Sequence, residues 1–333
     1  MRRKAMTLFS ILALLSVGGV AVLAGMMAFS APFNPPPVPT LQAAAGVLVK
    51  NIGDLPKVES FGAHDGTKIA YRAYPASADR VAVLVHGSSG SSVLMHLIAK
   101  ELAKLGITAY ALDMRGHGFS GPKGDVAYVG QLDDDVEDFL KSIAPKHPNA
   151  KRLLLGFSAG GGFIVRFAGG PKGDLFDSYV AMAPYLGEDA PSARSRIDGG
   201  WASAAVPRII ALAILDRIGI RQFGYLPVLG FAIPEEQRSN PVLTPFYSYR
   251  LWANFRAPRD WQGAVRGIRR PMIVLGGSTD ELFQTDKFDE AFRLVRNDIK
   301  VEIVPGINHM QLVTEPPAIA AAVKAVTALL PGQ

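Results

Sequence analysis

A chain of 333 residues, 49% of them hydrophobic, is long enough for one large catalytic domain with additions, or two small domains, around a sizeable core. It has no cysteine, which excludes disulfides, thiolate catalysis and cysteine-ligated zinc. Half of the formal charge of +6 comes from Arg2, Arg3 and Lys4; the other basic residues are scattered among acids without a basic, aromatic-interleaved block, so nucleic acid is not an expected partner.

After Lys4 no charged residue appears until Lys50. Leu8–Phe29 is almost wholly apolar, long enough at helical rise to cross a hydrocarbon core. The basic cluster ahead of it predicts that the N-terminus stays in the cytoplasm. Residues 1–30 therefore read as an N-terminal transmembrane helix that anchors an exported, periplasmic or extracellular, domain. The alternative is a secreted protein, because Ala28-Phe29-Ser30 has the small-x-small form of a signal cleavage site. Residues 31–54 form a linker in which Pro32, Pro35, Pro36, Pro37 and Pro39 predict a stiff, extended spacer.

The folded domain is expected over residues 55–333. Lys57–Phe61 and Thr67–Tyr74, on either side of His64-Asp65-Gly66, read as a β-hairpin with an Asp-Gly turn. From Arg80 strands alternate with helices, which predicts an α/β fold: a mostly parallel central sheet with helices on both faces. The expected strands are Val81–Val85, Thr108–Leu112, Arg152–Leu155, Tyr179–Ala183, Met272–Leu275 and Lys300–Val304. The helices are Ser92–Leu105, Gln131–Ile143, Gly161–Ala168, Lys287–Val295 and Pro317–Leu330. Residues 185–269 break the rhythm and read as an inserted helical cap. Its apolar segment Ile209–Ile220 is too short for a membrane span and carries Asp216 and Arg217.

Gly156-Phe157-Ser158-Ala159-Gly160 joins an apolar strand to an apolar helix, the context a nucleophilic serine needs on a tight turn. A serine hydroxyl requires an adjacent base. Of six histidines, His309 follows the last strand at the carboxyl edge of the sheet, where open α/β sheets bind ligands. His64 falls in the hairpin turn, His96 and His147 read as surface residues, and His86 and His117 precede glycines in loops. Asp280, in Gly276-Gly277-Ser278-Thr279-Asp280, is the acid expected to orient His309, with Glu281 and Asp286 as alternatives. The oxyanion donors are expected to be the backbone N–H groups of Ala159 and of Ser88, in the loop His86-Gly87-Ser88-Ser89-Gly90, with His86 orienting that loop. Ser88 and Ser89 lack the elbow that would make either a nucleophile. Gly116–Gly121 formally matches a dinucleotide fingerprint, but Pro122 and Gly124 argue against the required helix, so Asp113–Ser120 reads as a structural turn.

The His86-Gly87 loop, the Arg115-Gly116-His117-Gly118-Phe119-Ser120 turn, the elbow at Ser158, Asp280 and His309 come in the order found in α/β-hydrolases. The turn resembles that of the branch containing monoacylglycerol lipases and lysophospholipases, grouped with serine aminopeptidases. The resemblance covers about Leu55–Gln333. It implies acyl transfer through an acyl-enzyme without metal or organic cofactor, on a small-molecule or lipid-like ester. Dehalogenase and epoxide-hydrolase chemistry on this fold uses an aspartate where this chain has Ser158. Trp201, Phe223, Tyr225, Phe231, Phe246, Tyr247, Tyr249 and Trp252 either line an apolar acyl pocket or form the cap's own core. Two readings compete with the esterase: a peptidase or amidase holding a substrate amine on Glu188, Asp189 or Asp198, and a non-catalytic binding module.

Overall fold

The computed structural model describes residues 18–50, 52–76, 79–194 and 200–332. Helix α1 is described over residues 18–29 and α2 spans Pro39–Lys50. The hairpin follows as β1 (Glu59–Gly62) and β2 (Lys68–Tyr74), then β3 (Arg80–Val85), α3 (His96–Lys104), β4 (Thr108–Leu112) and α4 (Gln131–Ile143). β5 (Lys151–Phe157), α5 (Ala159–Gly169) and β6 (Ser178–Met182) lead into the cap: β7 (Ala202–Ala204), α6 (Val206–Arg217), β8 (Pro227–Phe231), β9 (Phe246–Ser248), α7 (Tyr249–Asn254) and α8 (Trp261–Gly267). The chain re-enters the main sheet through β10 (Met272–Gly277), α9 (Phe288–Arg293), β11 (Lys300–Val304) and α10 (Pro316–Leu329).

The main sheet has the order β1-β2-β4-β3-β5-β6-β10-β11, and every pair from β4 to β11 is parallel. β3, β4, β5 and β6 are apolar runs because both faces are covered; Val81–Val85 and Leu153–Leu155 are wholly buried. From β3 the chain moves outward through α3 to β4, and from β5 the opposite way through α5 to β6. Right-handed crossovers put those two helices on opposite faces. The direction reverses between β3 and β5, and such a reversal leaves a crevice at the carboxyl ends of the strands.

Three expectations need correction. The cap is not purely helical: β7, β8 and β9 form an antiparallel three-stranded sheet within it. Residues 31–54 are not a free spacer. Residues 30–38 have no regular structure, but Asn34 Nδ2 donates to the carbonyls of Phe231 and Pro245 in the cap, and the chain then forms α2. Nor are His96 and His147 surface residues. His96 is fully buried against Tyr74 Oη at 2.8 Å, and His147 meets Tyr110 Oη at 2.8 Å. As for the expected transmembrane helix at Leu8–Phe29, its first ten residues lie outside those described. Among the described residues no helix is long and apolar enough to cross a membrane.

The Asp113–Ser120 turn is locked by charge. Arg115, 3% exposed, donates to Asp135 at 2.6 and 2.8 Å and to Asp65 at 2.8 Å, tying the turn to α4 and to the hairpin. Removing the cation strands Asp135, itself buried, without its partner. Arg115→Ala should therefore lower the unfolding free energy by about 3–5 kcal/mol in urea titrations; a loss below about 0.5 kcal/mol would show that the turn does not depend on this pair.

Candidate active site

Ser158 is the one residue between β5 and α5, and it holds φ 57° and ψ −117°. That backbone is rarely adopted by a residue with a side chain and costs on the order of 1–3 kcal/mol. Close packing enforces it. A Cβ at Gly156 would stand 2.4 Å from Gly160 O, and one at Gly160 would stand 2.4 Å from His86 O. Only glycine at both positions lets α5 start this close to the sheet. Ser158 N donates to Met182 O at 2.8 Å and Ser158 O accepts from Tyr185 N at 3.1 Å, so the turn is fixed on both sides of its side chain.

The structure brings Ser158, His309 and Asp280 together. His309 Nε2 lies 2.9 Å from Ser158 Oγ, and His309 Nδ1 lies 2.8 Å from Asp280 Oδ2. All three are buried. The carboxylate can only accept, so Nδ1 carries the hydrogen and Nε2 is free to take one from the serine hydroxyl. Asp280 is held in turn: its Oδ1 accepts the N–H groups of Leu282 and Phe283 at 2.8 and 2.9 Å. The rings of Phe157 and Phe283 flank the imidazole at 4.8 and 5.2 Å. Glu281 does not contact the imidazole. It accepts the backbone N–H of His309 at 3.0 Å and the hydroxyl of Thr40 at 2.7 Å. Asp286 sits farther along, in the 3₁₀ turn Thr285–Lys287.

The loop after β3 lies against the nucleophile: a Cβ at Gly87 would come within 3.2 Å of Ser158 Cβ. Ser88 follows Gly87 in that loop and lines the same cavity as Ser158, and Ala159 is the next residue after Ser158 in the chain. His86 accepts from Met114 N at 3.2 Å through Nε2, which leaves Nδ1 to donate to Gly87 O at 2.7 Å. It orients this loop, as its position in the sequence suggests. The cap also grips the loop. Trp201 Nε1 donates to Ser88 Oγ at 2.9 Å, Thr244 N donates to Ser89 O at 2.9 Å, and Ser89 N donates to Tyr247 Oη at 2.7 Å. Tyr247 passes its own hydrogen to His117 Nε2 at 2.5 Å. Burial pushes the His86 imidazole down to about 4 and holds that of His117 well below its ordinary value of 6.5. Both rings are then neutral at pH 7, as acceptance at Nε2 requires. The sequence assigns His117 no role beyond its structural turn and leaves Tyr247 between an acyl pocket and the cap's own core. Their partners lie 130 and 158 residues apart in the chain, beyond any local pattern.

A cavity of about 510 Å³ opens over Ser158 and His309, within the usual range for small-molecule sites. Its walls are mainly apolar and include Leu41, Leu94, Trp201, Ile233, Leu243 and Met310. Of the eight cap aromatics expected to line an acyl pocket or pack together, Trp201 alone reaches this cavity. Phe231 and Tyr247 belong to the main core, Tyr249 packs with Leu212 and Val228 in a small cap cluster, and Tyr225 is exposed. Among the described residues no carboxylate lines the cavity. Glu188 is paired with Arg256 at 2.9 Å and bonded to Tyr185 Oη, and Asp198 falls outside the described residues.

A buried serine–histidine–aspartate chain on an elbow at the carboxyl edge of this sheet defines a serine hydrolase of the α/β-hydrolase fold. Residues 76–317 match the serine aminopeptidase S33 family, and the chain belongs to that family. A monoacylglycerol lipase of Mycolicibacterium smegmatis is 34% identical over 268 residues, covering 75% of this chain and 89% of that protein. Among solved structures, a soluble variant of monoglyceride lipase from Saccharomyces cerevisiae, bound to a substrate analogue, superposes with a TM-score of 0.64 at 17% identity. That match covers 84% of this chain and 96% of the other. A bacterial membrane phospholipase A superposes with a TM-score of 0.56 at 17% identity, over 100% of both chains. At such identities the structural matches show the shared fold.

The grip of Tyr247 on the loop can be tested alone. Tyr247→Phe keeps the ring and strands the buried Ser89 N–H, so kcat should fall about tenfold with KM nearly unchanged and the fold retained. An unchanged kcat would show that this hydroxyl does not position the loop.

Proposed function

We propose that this protein hydrolyses esters with an apolar chain through an acyl-enzyme on Ser158. The observation that carries this is the buried Ser158–His309–Asp280 chain opening directly onto an apolar cavity. His309 Nε2 takes the hydroxyl proton as Ser158 Oγ attacks the ester carbonyl. Asp280 stabilises the imidazolium through Nδ1–H, and the N–H groups of Ser88 and Ala159 hold the oxyanion. The tetrahedral intermediate collapses as Nε2–H protonates the departing alcohol. Water then loses its proton to Nε2 and attacks the acyl-enzyme, which releases the acid and restores Ser158. None of these steps calls for a metal or an organic cofactor.

The monoacylglycerol lipase similarity and the apolar walls favour a lipid-like ester over a short polar one. A peptidase would want a carboxylate for the substrate amine, and the described cavity wall offers none. A binding module without catalysis would leave the strained backbone at Ser158 without a use.

We further propose that this domain lies outside the cytoplasm, tethered by the apolar N-terminus or secreted after its removal. Support comes from the basic cluster before Leu8–Phe29 and from an exposed apolar stripe along α6 in the cap. Val206, Ile210 and Ile214 recur there at one-turn spacing and Ile218 continues them just past its end, all at least 41% exposed. Protease accessibility of the domain in intact cells reads the topology.

Hydrolysis of p-nitrophenyl esters from acetyl to dodecanoyl tests the substrate class. The wild type should favour medium or long acyl chains, and Ser158→Ala should lose about 10⁶-fold in kcat. A preference for acetyl, or a Ser158→Ala variant close to wild type, would refute the assignment.

A further inference from the structure

Helix α2 lies before the family-matched residues 76–317, yet it borders the cavity over Ser158. Val38 at its entrance, Leu41, Gln42, Gly46 and Lys50 along it, and Ile52 after it all line that space. Gln42, Gly46 and Lys50 follow one another at one-turn spacing, while Leu41 stands on a different side of the helix. Leu41, 7% exposed, is part of the main core cluster.

The segment is fastened at several points. Arg208 Nε donates to Met27 O at 2.8 Å. The Phe33 backbone presses on β8 so closely that a Cβ at Gly230 would stand 2.2 Å from Phe33 O. Asn34 bonds two cap carbonyls, at 2.9 and 3.2 Å. At the start of α2, Thr40 Oγ1 donates to the Glu281 carboxylate, whose other oxygen accepts the N–H of His309. One side chain therefore spans the helix and the loop that carries the histidine. A wall docked in this way sets the width of the space available to a substrate chain.

We infer that α2 is a specificity wall: Leu41 and Gly46 fix the length of apolar substrate chain that the cavity admits. This rests on the esterase reading above. Gly46 is the sensitive point, because a Cβ there meets nothing within 4 Å and the residue borders the cavity, so a large side chain extends into open space. Leu41 acts in the opposite sense, since shortening it widens the cavity.

The test uses full-length protein, a small fluorophosphonate to confirm an intact site, and two ester series. One series varies the acyl chain from acetyl to dodecanoyl on a fixed alcohol; the other varies the alcohol over the same lengths on a fixed acid. Gly46→Trp should lower kcat/KM for the longest members of at least one series by about tenfold or more, while the shortest members and probe labelling stay at wild-type level. Leu41→Ala should move the optimum of the same series toward longer chains. Length profiles that superpose on wild type in both series, in variants that label normally, overturn the inference and leave the esterase reading standing. Should Gly46→Trp fail to label, Leu41→Ala alone decides by the same criterion. Failure of the wild type to label overturns the esterase reading, and this inference with it.

Discussion

The site hangs on the backbone of Ser158. Its positive φ is a local cost that the chain tolerates because β5, α5 and the loop after β3 meet there with no room for a Cβ at Gly156 or Gly160. The same crowding turns the hydroxyl out of the sheet toward His309 and brings the His86–Gly90 loop against the nucleophile. Relaxing the elbow would move the serine away from His309 and from the His86–Gly90 loop together. The strain and the chemistry therefore share one cause, the close approach of a glycine-rich helix to a parallel sheet at the point where strand order reverses.

Around that turn the polar groups are arranged in relay. Asp280 is pinned by two backbone N–H groups before it meets the imidazole, so the tautomer of His309 is set before any substrate arrives. On the other side His86, Tyr247 and His117 pass hydrogen bonds from the Asp113–Ser120 turn to the loop beside Ser158. Each imidazole in that path is kept neutral by burial, so its direction of donation is fixed as well. The cap thus grips the loop beside Ser158 through Tyr247 and Trp201, one bonded to the loop's backbone and the other to its Ser88 side chain, and is not only a cover.

Much of this was legible in the residues. β4, β11 and α4 occupy the spans read from apolar runs and helical periodicity, because doubly covered strands and amphipathic helices carry their burial in local pattern. Ser158, Asp280 and His309 could be chosen because each follows a strand at the same edge of the sheet. What was not legible depended on distant partners. His96 and His147 are buried by tyrosine hydroxyls on β2 and β4, which no neighbouring residue announces. β7 and β9, at three residues each, are too short to show alternation. α2 did leave a trace that the prolines masked: Pro39 suits a first helical position, and the Leu41–Val49 run that follows is rich in alanine. Glu281 was weighed as the acid for His309, and its real place, on the histidine's backbone N–H and on Thr40, needed the fold to be seen.

One serine, Ser158 on its strained elbow, is proposed to carry the acyl group. The direct measurement is intact-protein and peptide mass spectrometry after reaction with a long-chain alkyl fluorophosphonate. The expected result is a single adduct per chain, on the peptide containing Ser158, lost when His309 is replaced by alanine. No adduct on the folded protein, or an adduct on Ser88 or Ser89, would contradict it.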